Sequence, residues 1–168
     1  MSALVSVVVP TWQRRELLRD ALDHIAEQTY LNIEIVIVSD GPDEQLDREL
    51  NRRPKTSTRY VSLGRNWSGL MPESFGIAPL TVGYLLARGD YIMPWCDDER
   101  ALTASHISKL VDLLESTGAD FVYPKMRIWR NGNPAGPETK TIGTDPPRKD
   151  QITHYLFRAA CLQRFGMP

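Results

Sequence analysis

The chain has 168 residues, 42% of them hydrophobic and 24% charged, with a formal net charge of −1. That length and mixture describe a single globular domain, residues 1–168, able to bury a core without metal or disulfide support. With acids and bases interspersed and the net charge near zero, no electrostatic footprint for nucleic acid is present, and no nucleic-acid partner is expected.

Ser6 to Val9 is a β-branched run ended by Pro10, which predicts a buried parallel strand. The leading residues lack a basic segment and a cleavage site, so they read as strand and not as signal peptide. Arg14 to Thr29 carries Leu17, Leu18, Ala21, Leu22, Ile25 and Ala26 at spacings of three and four, the pattern of an amphipathic helix lying on a sheet. Ile33 to Val38 predicts a second strand, ending in the turn cluster Ser39-Asp40-Gly41-Pro42. Strand, helix and strand make a right-handed βαβ unit. A polar helix follows at Glu44 to Arg52, then a third strand at Arg59 to Leu63. The irregular stretch from Gly64 to Pro79 has a length that compact domains usually reserve for function. Leu80 to Ala87 reads as a helix delivering the chain to Gly89.

The central strand, Tyr91 to Trp95, runs into Asp97-Asp98-Glu99. Carboxylates there sit at the carboxyl edge of the sheet, where open α/β sheets bind ligands. Clustered acids raise one another's pKa unless a cation or hydrogen-bond donors are supplied, and a hard divalent ion bound with a phosphate satisfies them. A solvated acidic turn is the plainer alternative. Beyond it, Thr103 is placed to cap a helix running to Ser116, with Ile107, Leu110, Val111 and Leu114 as its apolar face and Gly118 as its stop. Strands are predicted at Phe121 to Tyr123 and Met126 to Trp129, with a turn at Asn131-Gly132-Asn133. Residues 134–150 read as an exposed loop, and Ile152 to Phe165 as a strand and a short helix. Cys96 and Cys161 show no metal-ligand spacing and are expected as reduced thiols in a cytoplasmic setting. No apolar run reaches the roughly 18 to 20 residues that span a bilayer.

Three polar points thus follow three predicted strands: Pro10-Thr11-Trp12, Asp40, and Asp97-Asp98. In a parallel sheet they converge on one crevice. An aromatic ring to stack on a base, a carboxylate to accept from its N–H, and acids to hold a metal against a diphosphate suit a nucleoside diphosphate. Singly, Trp12 could be core and Asp40 a turn residue. No G-x-G-x-x-G follows the first strand, which disfavours a dinucleotide-dependent dehydrogenase. A nucleotidyltransferase lacks its Gly-rich phosphate loop here.

On these residues the chain resembles the inverting, family 2 type glycosyltransferases of GT-A fold. SVVVPTWQRRELLRDALDHIAEQTY with NIEIVIVSDGPDE is similar to that family's opening, GDYIMPWCDDE to its G-D-Y-I and D-x-D region, and ITHYLFRAACLQRFG to its later strand and helix. The resemblance implies an α/β, three-layer Rossmann-like GT-A domain with a mostly parallel central sheet. It further implies that Pro10 and Thr11 contact base and ribose, Trp12 stacks on the base, and Asp40 accepts a base N–H, favouring a UDP-type donor. Asp97 would hold the ribose or sugar, and Asp98 would bind Mn²⁺ or Mg²⁺ on the diphosphate, while an acceptor hydroxyl attacks the sugar.

Departures are also informative. The family's first D-x-D acid is Cys96 here, its Arg-Asn pair falls at Leu80 and Thr81, and Arg65 and Arg88 are candidate substitutes for the donor-sugar contacts, surface arginines being the plainer reading of each. Glu99 would be a substitute ligand or an outer support. The family's catalytic base lies beyond the position of Gly166, and Asp145, Asp150 and His154 are the acids and histidine nearest in order. A metal-dependent glycosyltransferase therefore competes with a non-catalytic nucleotide-sugar binding domain or fragment. Apolar surface expected around Leu156, Phe157, Leu162 and Phe165 suggests a homo-oligomer through the C-terminal segment.

Overall fold

The β-branched runs at the start of the chain form two adjacent parallel strands. β1 (Val5–Thr11) and β2 (Ile33–Ser39) pair from Val5 opposite Ile33 to Thr11 opposite Ser39. The computed structural model describes residues 2–51, 58–71, 76–125, 129–130, 133–134 and 155–165. Among these, β3 (Thr58–Ser62) pairs outside β2, and β4 (Tyr91–Pro94) pairs with β1 on its other side, all parallel. Beyond β4 lie β8 (Leu156–Arg158), antiparallel to both neighbours, and β5 (Phe121–Val122), giving the order β3-β2-β1-β4-β8-β5. A separate two-stranded ribbon joins β6 (Trp129–Arg130) and β7 (Asn133–Pro134).

Alternation along β1 sends Val5, Val7 and Val9 to one face and Val8 to the other. On the first face lie α1 (Arg15–Ala26), α2 (Glu44–Asn51) and α5 (His106–Thr117). They contribute Leu18, Leu22 and Ile25, Leu46, and Ile107, Val111 and Leu114 to one core. On the second face α4 (Ile77–Leu86) lays Tyr84 against Val8, Val38 and Phe157, and α6 (Ala160–Phe165) adds Cys161 and Leu162. The three-layer arrangement with a mostly parallel sheet is the one expected. α4 packs unusually close, since a Cβ on Gly83 would lie 2.2 Å from Val8 Cγ1.

The amino-terminal edge of the parallel strands is tied by Glu34. Its carboxylate accepts from Ser6 Oγ (2.5 Å), Arg88 N (2.6 Å) and Arg59 Nη2 (2.9 Å), joining β1, β2, β3 and the approach to β4. Ser6 Oγ in turn accepts from Gly89 N at 2.8 Å.

Several expectations shift. Pro10 does not end β1 but lies within it, opposite Val38. The backbone N–H and C=O groups of even-numbered β1 residues point toward β4, whose ladder closes with Trp95 N donating to Val8 O at 2.8 Å. The missing N–H of Pro10 therefore faces a side with no strand left to accept it. The α5 cap falls at Ser105 and not at Thr103, because the buried Gln28 at the end of α1 supplies the acceptor, its Oε1 taking Ile107 N at 3.1 Å. Part of the irregular stretch is helical: α3 (Trp67–Leu70) is capped by Asn66, and α4 begins at Ile77 with Pro79 in its first turn, where a proline costs little. Leu156 and Phe157 are not exposed. They are 0% and 7% accessible because β8 is inserted inside the sheet, which removes half of the apolar patch expected near the chain's end. The expected strand start at Met126, the turn at Asn131-Gly132 and the loop from 135 lie outside the described residues, as do Asp145, Asp150, His154 and Gly166.

Candidate functional site

β1, β2 and β4 are parallel, so their carboxyl ends reach one edge of the sheet, and the predicted residues occupy that edge. β1 ends at Thr11, whose hydroxyl donates to Asp97 Oδ2 at 2.7 Å across 86 positions of sequence. Both groups are buried, Thr11 at 5% and Asp97 at 2% accessible, so the bond fixes the ends of two strands against each other.

Past Thr11 the chain turns sharply. Gln13 adopts φ 53°, in the left-handed region that a non-glycine residue enters at a cost, and α1 starts two residues later. This turn directs Trp12 and Arg14 to different sides. The ring of Trp12 lies over Gly41: a Cβ added there would be 2.5 Å from Cζ3 and 2.7 Å from Cη2. Gly41 itself has φ 135°, and its carbonyl accepts from Ser39 Oγ (2.7 Å) and Ser62 Oγ (2.9 Å), which pin the turn to β2 and β3. Trp12 is half-buried on a glycine shelf at the carboxyl edge of the sheet and is not among the core clusters.

Arg14 extends over the end of β4. Its guanidinium lies 3.0 Å from Asp98 Oδ2, to which Nη1 donates, and 3.1 Å from Asp97 Oδ1, an ion-pair contact without hydrogen-bond geometry. Burial pushes the Asp97 carboxyl above the ordinary carboxylate range, opposed by the Thr11 hydroxyl and the Arg14 charge. Asp98 is half-exposed, with its side chain 52% accessible. The two acids are the central residues of a turn closed by Glu99 N donating to Cys96 O at 3.1 Å. Glu99 Oε2 accepts Cys96 N at 3.1 Å, and the fully buried Trp95 donates Nε1 to Glu99 O at 3.1 Å. Glu99 thus shapes the turn that presents Asp97 and Asp98. The thiol of Cys96, where the resemblance has an acid, is pushed up by burial and by the neighbouring carboxylates.

Asp40 follows β2 and is 3% accessible. Its Oδ1 accepts Trp67 N at 3.0 Å and its Oδ2 accepts Ser68 N at 2.9 Å, so it anchors α3 to the end of β2. Each oxygen retains a second lone pair. Trp67 is partly exposed, and the Arg65 guanidinium sits 5.3 Å from its ring centroid. Arg65 therefore lies at the carboxyl edge of the sheet, beside α3. Arg88 does not: it precedes β4, at the opposite, amino-terminal edge, which rules it out as a donor-sugar contact.

The acid pair has donors that fit a hard divalent ion, namely a half-exposed Asp98 carboxylate, one oxygen of which now accepts from Arg14, and a buried Asp97 Oδ1 that no hydrogen bond saturates. Among the described residues no three acids, histidines or cysteines cluster to hold a metal without help. Phosphate oxygens would have to complete the shell, as such ions commonly require.

Sequence reasoning found the edge residues but passed over Arg14, which it treated as the start of α1. The available signal was its place in the same strand-end turn as Trp12, where a cation must face the acids that end β4.

The family profile described as Glycosyl transferase family 2 matches residues 6–161. An uncharacterized glycosyltransferase of Bacillus subtilis, YwdF, is 31% identical over 124 residues, covering 74% of this chain and 42% of its own. Glycosyltransferase GlyG of Streptococcus pneumoniae is 29% identical over 122 residues, covering 73% and 38%. The chain thus spans less than half the length of these relatives. Among solved structures, S. aureus TarS 1–349 in complex with UDP-GlcNAc aligns with a TM-score of 0.73 at 20% identity, over 96% of this chain and 47% of that one. Mannosyltransferase PcManGT from Pyrobaculum calidifontis, with GDP-Man and Mn²⁺, aligns with a TM-score of 0.68 at 17% identity, over 99% and 48%.

Proposed function

The chain belongs to glycosyl transferase family 2, and on that premise we propose that it binds a nucleoside diphosphate sugar, of UDP type, and transfers the sugar to an acceptor hydroxyl. The observation that carries this reading is the Thr11–Asp97 bond, which ties the end of β1 to the acid turn after β4 at the sheet edge that Trp12 and Asp40 share. Support also comes from the structural neighbours solved with UDP-GlcNAc and with GDP-Man and Mn²⁺.

In this reading Trp12 stacks on the base from its shelf over Gly41, and Pro10 and Thr11 line the base and ribose through their backbone. Asp40 accepts the base N–H with the lone pairs that Trp67 N and Ser68 N leave free. Asp97 faces the ribose or sugar, and Asp98 holds Mn²⁺ or Mg²⁺. Bound there, a divalent ion neutralises the diphosphate and makes it a better leaving group. The burial of Asp97 and Thr11 lowers the local dielectric, which strengthens each charge contact made to the donor. The acceptor and the base that deprotonates it are not assigned to any described residue.

Calorimetric titration with UDP, GDP and UDP-sugars, each with Mn²⁺ and with chelator, tests the reading. Metal-dependent UDP binding with donor hydrolysis is the expected result. Binding without sugar release would favour a nucleotide-sugar binding domain, and GDP preferred over UDP would overturn the UDP-type donor.

A further inference from the structure

Arg14 places a single positive charge between two carboxylates, 3.1 Å from Asp97 Oδ1 and 3.0 Å from Asp98 Oδ2. These are the oxygens that a divalent ion on the acid pair would need. Both cannot be served at once: a cation bound between the two carboxylates would lie next to the guanidinium, and like charges at that separation repel strongly in a half-buried site. Nor is Arg14 buried or held from several sides. Its side chain is 49% accessible, it makes no cap to α1, and its contact with Asp97 lacks hydrogen-bond geometry.

Building on the donor-binding reading above, we propose that Arg14 is the resident counter-ion of the acid pair and exchanges places with the metal when the donor binds. Without nucleotide, Arg14 neutralises one of the two charges and competes with a divalent ion. When a diphosphate arrives with the ion, the metal takes Asp98, and the released guanidinium turns to the phosphate oxygens beside it, for which its forked donors are suited. Diphosphate thus gives Arg14 a second partner, and metal and nucleotide raise each other's affinity by the same factor, as linkage requires. Arg14 is in this sense a positioning residue: it delays metal binding until there is a diphosphate for the metal to serve. No bond is made or broken in the exchange.

The test compares wild type with Arg14→Gln and Arg14→Lys, counting bound Mn²⁺ from the EPR signal of the free ion, with and without UDP, and checking folding by melting temperature. Arg14→Gln is expected to bind Mn²⁺ about fivefold or more tightly without nucleotide, and to show a smaller mutual enhancement between Mn²⁺ and UDP, within the range usual for such couplings. Arg14→Lys, which keeps the charge but loses the fork, should fall between; if Arg14→Gln does not fold, Arg14→Lys against wild type decides. Unchanged or weaker Mn²⁺ binding in a folded variant that still binds UDP would overturn the exchange and leave Arg14 as a strut. If wild type itself binds neither Mn²⁺ nor UDP, the donor-binding reading falls and the exchange falls with it.

Discussion

Replacing Gly41 by alanine tests the nucleotide half of the site through a single methyl group. At φ 135° an L side chain is strained, at roughly 1–3 kcal/mol for backbone held in such a region. The methyl would also sit 2.5 Å from Trp12 Cζ3, where ordinary contact begins at 3.4 Å, so the ring must retreat by 3.4 − 2.5 = 0.9 Å or tilt off its shelf. For a chain of this size the strain corresponds to a fall in melting temperature of roughly 2–12 °C. If Trp12 stacks on the base, the displaced ring forfeits part of about 1–3 kcal/mol of stacking, which is about 5- to 150-fold in UDP affinity at the full value. Calorimetry and thermal melts on Gly41→Ala, Trp12→Ala and the double variant separate the terms. In the Trp12→Ala background the clash with the ring disappears, while the backbone strain and a 3.0 Å approach to Asn66 N remain, so the UDP effects of the two changes should be strongly non-additive. Full UDP affinity in Gly41→Ala together with an unchanged melting temperature would refute the placement of the ring.

Other outcomes follow from the same geometry. Asp98→Ala should abolish metal-assisted UDP binding while changing stability by less than about 0.5 kcal/mol, because its side chain is half in solvent; a large loss of stability on denaturant titration would show a structural acid instead. Asp97 is raised above the ordinary carboxylate value by burial, so it takes up a proton at a higher pH than an exposed acid, and metal affinity should begin to fall in mild acid before that of a solvated carboxylate pair would. For Glu34 burial acts to raise the pKa, but Ser6, Arg88 N and Arg59 outweigh it and the net shift is downward from 4.5. A depressed folded value stabilises above the unfolded pKa and loses that contribution as pH falls through the folded one. Glu34→Gln should therefore be less stable than wild type near pH 7, with the gap in urea midpoint narrowing below about pH 4.5. Gly83→Ala drives a methyl to 2.2 Å from Val8 Cγ1 and should cost about 1–3 kcal/mol by overpacking, read from the urea midpoint; no loss would mean that α4 is free to lift from the sheet.

How much of this could be read beforehand depended on the range of the interaction involved. The strands at Ser6 and Ile33 and the apolar faces of α1 and α5 were legible because periodicity and β-branching are local signals. The crevice residues were legible because parallel strands fix which ends share an edge. Thr103 was misread as a cap because the acceptor for α5 comes from Gln28, and no local pattern announces an acceptor 79 residues away. Asp40 was legible as an edge acid, whereas its grip on Trp67 N and Ser68 N was not, since that depends on where the irregular stretch folds back. Arg14 was hidden by its own sequence, in which Arg14, Arg15 and Glu16 look like any charged helix start. Leu156 and Phe157 looked like an exposed end because nothing local marks a strand that inserts between two others.

That insertion also sets an order of events for the growing chain. β3, β2, β1 and β4 can pair once residues up to Pro94 exist, but the outer edge of β4 pairs with β8, Tyr91 opposite Arg158, and β5 has β8 as its partner in the sheet. Until residues 156–158 arrive, a newly made chain carries an open hydrogen-bonding edge on β4 beside the acid turn and a β5 segment with nowhere to dock. The loop that must close is long, which slows the step entropically, and an unpaired edge is a template for other chains. Among the described residues, β8 is thus the strand whose arrival stops this sheet from pairing with its neighbours on the ribosome. Chains cut short before it should accumulate as aggregates and not as smaller folded domains.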